Sequence, residues 1–120
     1  MSLDRERLKR LKEMAALVFD TRSQALRRAN EARDALLRQL ADLEAGPAEE
    51  GLPWPSAERA RFGYEQWAAG RRAGINRLLA AQTAVCLQAA EETRMAFGRV
   101  RVLEQLPVTG RKADRGEPAD

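Results

Sequence analysis

Two long proline-free stretches, from about Leu3 to Ala45 and from about Ser56 to Leu106, constrain this chain more than any other feature. Each carries apolar residues at alternating steps of three and four. As helices rising roughly 1.5 Å per residue they would be rods of about 60 and 75 Å. A compact domain of 120 residues has no room for rods of that length. The expected fold is therefore all-α: an elongated antiparallel two-helix coiled-coil hairpin in which two apolar stripes bury each other.

The first stripe reads Leu8, Leu11, Ala15, Val18, Arg22, Ala25, Ala29, Ala32, Leu36, Gln39 and Leu43. Its regularity fits packing against another long helix, and the narrow run Ala25, Ala29, Ala32 would let a partner backbone come close. Ser2 is the expected cap, with Asp4 and Glu6 in the first turn. Ala45-Gly46-Pro47 supplies the stop, glycine for a left-handed cap and proline against continuation. Residues 46–55, GPAEEGLPWP, read as the turn. The second stripe begins after Ser56 and runs Tyr64, Trp67, Arg71, Ile75, Leu78, Gln82, Val85, Ala89, Thr93, Ala96, Val100, Leu103 and Leu106. Gly70-Arg71-Arg72-Ala73-Gly74 interrupts good helix formers, so a kink there, or a break into two helices, is the alternative architecture. Pro107 ends the pattern. The hairpin thus covers 1–106, with helices at about 3–45 and 56–106, and the tail 107–120 is expected to be disordered.

Catalytic constellations need a base beside a nucleophile, or clustered metal ligands. This chain has no histidine and one cysteine, Cys86. Adjacent carboxylates such as Glu91 and Glu92 diverge around a helix and read as solvated. The expectation is a non-enzyme, with no cofactor and no metal. Cys86, in AQTAVCLQAA, reads as buried filler, and a lone thiol fits a reducing compartment. No apolar run approaches the ~18 residues that cross a bilayer, and no apolar segment follows the basic N-terminus as in a signal peptide. These features point to a cytoplasmic protein without membrane insertion. Glu6 with Arg10 and Asp34 with Arg38 have the spacing of helix-supporting ion pairs.

Four aromatics, Trp54, Phe62, Tyr64 and Trp67, gather at the turn. Either they seal the end of the hairpin, Trp67 more than Trp54, or they grip a partner, as Trp and Tyr do at binding hot spots. At the other end Arg5, Arg7, Lys9, Arg10 and Lys12 would meet Arg99 and Arg101. This is either a solvated face or a positive collar for an acidic surface. Interspersed acids and the lack of stacking aromatics there argue against nucleic acid. Leu26, Leu37, Leu79, Cys86 and Phe97 extend the apolar area beyond the stripes, enough for homo-oligomers such as a four-helix bundle.

The second helix carries Arg77-Leu78-Leu79-Ala80-Ala81-Gln82, then Ala90-Glu91-Glu92-Thr93-Arg94-Met95-Ala96, then Arg101-Val102-Leu103-Glu104-Gln105-Leu106. With the hairpin layout, this wording resembles the FliJ family of flagellar export proteins and the YscO-type stalk proteins of type III secretion. The resemblance spans about residues 3–106. It implies a coiled-coil stalk and chaperone-cycling component, cytoplasmic or peripheral at the inner face of the export apparatus. Its implied partners are the export ATPase ring and the export gate protein. The ring would be met through the joined termini, with Leu3, Arg7, Arg10, Arg99 and Leu103. The gate would be met nearer the turn, with Phe62, Tyr64 and Ile75. A self-associating adaptor or chaperone holding its client by the aromatic tip, Trp54 included, is the alternative.

Overall fold

Asp4 sets the start of the first helix. Its Oδ1 accepts a hydrogen bond from the Arg7 amide at 2.8 Å, and its carbonyl accepts one from the Leu8 amide at 3.0 Å. Two amides of the first turn, otherwise without an intrahelical partner, are satisfied in this way. The cap is thus Asp4; Ser2, expected in that role, lies outside the residues described. Asp4→Ala should cost about 1 kcal/mol, read in urea as a lower midpoint at unchanged slope.

The computed structural model describes residues 4–46, 51 and 53–107. Among these, α1 (Arg5–Ala45) and α2 (Trp54–Gln105) form an antiparallel helical hairpin without strands. Gly46, at φ 81°, closes α1 in the left-handed region as the Ala-Gly-Pro signal predicts. α2 begins two residues before the expected cap Ser56. The Ala57 amide donates to the Pro53 carbonyl at 2.8 Å, and Pro55 occupies the first turn, where its missing N–H is no loss. Trp54 is therefore helical and not part of the turn. α2 also continues through Gly70–Gly74, so the alternative of two separate helices is not adopted. Buried Ala68 and Ile75 flank that stretch and hold it in register. The tail expected to be disordered lies, beyond Pro107, outside the described residues.

Two packing units divide the pair, Arg28–Leu87 and Met1–Arg27 with Gln88–Asp120. In Arg28–Leu87 the core is Leu43, Ala68 and Ile75, with Leu36, Leu40 and Tyr64 packed against it. The Tyr64 hydroxyl donates to the Leu43 carbonyl at 3.0 Å, satisfying an acceptor in the last turn of α1. Further along, Gln82 Nε2 donates to the Ala29 carbonyl at 3.1 Å. Such a bond to backbone is possible because Ala29 is small. Rising partner numbers on α2 against falling ones on α1 are the mark of antiparallel pairing.

The unit containing the termini has a thinner core, with Leu8 and Ala96 its buried apolar residues. Phe19 and Phe97 meet at 5.6 Å between ring centroids, tilted by 48°, a favourable aromatic geometry. Arg22 Nη1 pairs with Glu92 Oε1 at 3.1 Å, and the Thr93 hydroxyl lies 3.0 Å from the Arg22 carbonyl. Glu92, read as solvated, is thus an interhelical contact. Neither Glu6–Arg10 nor Asp34–Arg38 forms an ion pair. Within α2, Arg94 pairs with Glu91 and Arg101 with Glu104.

Half of the expected stripe is displaced by one residue. On α1, Leu8, Ala15, Ala29, Leu36 and Leu43 are covered as expected, but Leu11, Val18, Arg22, Ala25, Ala32 and Gln39 are exposed. Lys12, Phe19, Leu26 and Leu40 are covered instead. On α2, Ala68, Leu79 and Cys86 take the places assigned to Trp67, Leu78 and Val85, and Leu106 is exposed. Leu26, Leu79 and Cys86 therefore belong to the seam and do not extend the apolar area outside it. A step of four in place of three turns the contact by 100° about the axis. Small residues at the contact then allow the close approach that the Gln82–Ala29 bond requires.

Candidate partner-binding surfaces

Because Leu11 and Val18 are left outside the seam, they join Met14 to form a second stripe on α1, at i, i+3 and i+7. On α2, Met95, Arg99 and Val102 form the matching stripe. Between the two, in the unit containing the termini, runs an open groove of about 640 Å³. Ala15 and Leu103 form part of its lining, and Gly98 borders it with nothing within 4 Å of where a Cβ would stand. Met14 is 61% exposed and Leu17, on the outer side of the same helix, 65%. Exposed apolar side chains in one contiguous patch mark an interaction surface more often than a solvated one.

Arg7 lies four residues before Leu11, and Arg10 four before Met14, so the α1 stripe continues into two arginines. Arg99 sits in the groove lining itself. None of the three forms an ion pair among the described residues. The acidic residues at the groove's other end are already engaged, Glu91 by Arg94 and Glu92 by Arg22. Arg7, Arg10, Arg99 and Leu103, expected to act together, are thus on one unit, Arg99 and Leu103 in the groove lining and the two α1 arginines continuing its stripe. Leu3 lies outside the described residues.

The aromatic cluster of the other unit does not form a plug. Trp54 is 73% exposed, Phe62 67% and Trp67 57%. Tyr64 alone is half-buried, its hydroxyl bound to Leu43 and its ring 5.7 Å from that of Trp67. Both indoles are exposed, with Trp67 the more covered of the two, the order expected between them. Ile75 is corrected more sharply. At 1% exposed it belongs to the core, and no partner can touch it there. The surface near the turn is carried by Phe62 and Trp67.

Sequence reading missed Met14, Leu17, Met95 and Val102 as surface residues, and Gly98 as the groove's open edge. The signal was present in the surplus of α1. Leu8, Leu11, Met14, Ala15, Leu17, Val18 and Phe19 are more apolar positions than one seam can bury.

Cys86 is a buried free thiol. Among the described residues no group of three or more His, Cys, Asp or Glu is placed to hold a metal ion. No helix among them is long and apolar enough to cross a membrane. No protein-family model, no curated protein and no solved structure matches the chain.

Proposed function

We propose that this chain is a non-enzymatic coiled-coil stalk and chaperone component of a flagellar or type III protein-export apparatus. It would work in the cytoplasm or at the inner face of that apparatus, binding the export ATPase ring and the export gate. One observation carries the reading: an antiparallel helical hairpin whose terminal unit leaves Arg7, Arg10 and Arg99 without an ion pair among the described residues, beside exposed apolar side chains. A hairpin needing only to be stable would cover that patch, or neutralise it. The wording of α2 around Gln82, Glu91–Arg94 and Leu103–Leu106 gives the reading its family.

The test is a pull-down with the purified cognate export ATPase, accompanied by an ATP-hydrolysis assay. The expected result is a complex and altered turnover, both lost in Arg7→Glu/Arg99→Glu. A change of two charges at contacts worth roughly 1.5–3 kcal/mol each corresponds to at least about a hundredfold weaker binding. No complex and no change in turnover would count decisively against the assignment.

The exposure of Trp54, Phe62 and Trp67 favours a second reading, an adaptor or chaperone that holds its client by the aromatic tip. Trp54→Ala/Phe62→Ala should then abolish client binding at unchanged helicity, with ATPase binding intact.

A further inference from the structure

We infer that the groove between the Met14 stripe of α1 and the Met95 stripe of α2 receives a third helix, an amphipathic one with acidic flanks. This deepens the reading of the terminal unit as a binding surface, and names the chemistry of what binds there.

First, the shape is that of a helix seat. Two antiparallel helices present apolar stripes at helical spacing along a trough, the arrangement by which a groove takes the apolar face of an incoming helix. Methionine on both walls suits such a site, because its unbranched thioether adapts to the ridges of the helix that docks. Gly98 leaves one edge open, with room for a backbone to come close.

Second, the charge is one-sided. Arg99 lines the groove, Arg7 and Arg10 continue its α1 stripe beyond Leu11, and among the described residues none of the three forms an ion pair. The ion pairs at the opposite end are closed within the chain. An incoming helix gains most if its acidic residues lie against these arginines, where charge-assisted hydrogen bonds are available.

Third, a second copy of this chain fits less well. Docked groove to groove, two copies would bring the same arginines together. Cations would meet cations, a juxtaposition that opposes association.

The probe is a synthetic alanine-based helix of about 18 residues, with leucine at i, i+3, i+4 and i+7 and glutamate along both flanks. Its counterpart has lysine in place of every glutamate. Binding is read on the full chain from the methyl NMR signals of Met14 and Met95. The glutamate helix should shift both signals, and bind at least about tenfold more tightly than the lysine helix. Its affinity should fall as salt is raised. Gly98→Leu, whose Cβ would meet nothing within 4 Å, puts a side chain at the groove and favours helix. It should remove binding, whereas Gly63→Leu, in the other unit and with the same space for a Cβ, should leave it unchanged.

Equal affinity for the two peptides, or no shift at either methionine, would overturn the proposal. So would a wild-type dimer in sedimentation that Gly98→Leu converts to monomer, since the occupant would then be a second copy. No arm uses the export ATPase, so a failed pull-down with peptide binding intact speaks only against the apparatus, and the reverse only against the groove.

Discussion

Ile75→Ala is expected to destabilise the hairpin by about 2–5 kcal/mol. Ile75 is one of the two largest fully buried side chains, the other being Leu8. It packs in a cluster with Leu43 and Ala68. A two-helix pair has no further layer behind that cluster to collapse into the cavity, which places the cost toward the upper end. Small helical proteins have a margin of roughly 5 kcal/mol, so the variant should lose much of its ellipticity at 222 nm well below the wild-type melting temperature. A shift of only a degree or two would mean that α1 and α2 do not meet at this point.

Ala68→Leu and Trp67→Ala together separate the observed contact from the one hydrophobicity alone would choose. Ala68 is 0% exposed. Three added carbons would force the helices apart, at a cost of about 1–3 kcal/mol. Removing Trp67 should change stability by no more than about 1 kcal/mol, the worth of its ring contact with Tyr64. With Trp67 in the seam the order would reverse, and its loss would cost about 3–5 kcal/mol. Parallel urea titrations of the two variants decide between the arrangements.

The comparison shows what a heptad can and cannot say. Every seventh residue from Leu8 to Leu43, and from Ile75 to Leu103, lies where the pattern puts it, apart from the half-exposed Arg22 side chain. Between these positions the sequence offers two candidates, Leu11 or Lys12, Val18 or Phe19, Trp67 or Ala68. Choosing the more apolar of the last pair fails because the contact there is narrow. Helices that approach closely enough for Gln82 to reach the Ala29 carbonyl have space for alanine and not for indole. Lys12 is half-covered for a different reason: its aliphatic stem can lie along apolar surface while the ammonium stays in water.

The candidate surfaces follow from the same displacement. Once Leu11 and Val18 turn away from the seam, they complete the groove with Met14. A reading that placed them inside could not see it. The unpaired arginines were legible as a basic collar, because charge needs no register to be noticed. That three of them lie along one unit's groove stripes was not, since it depends on which face of each helix looks outward. Ile75 was misread as surface because the resemblance assigned a stretch of helix and not a face of it.

α2 returns along α1 in the register that sets Phe19 against Phe97 in one unit and Tyr64 against Leu43 in the other. The chain has three phenylalanines, so the aromatic region of a nuclear Overhauser spectrum assigns cleanly. Cross-peaks are predicted between the rings of Phe19 and Phe97, and between the Tyr64 ring and the Leu43 methyls. Their absence, with the Trp67 indole instead in contact with the methyls of Leu36 and Leu40, would contradict the account.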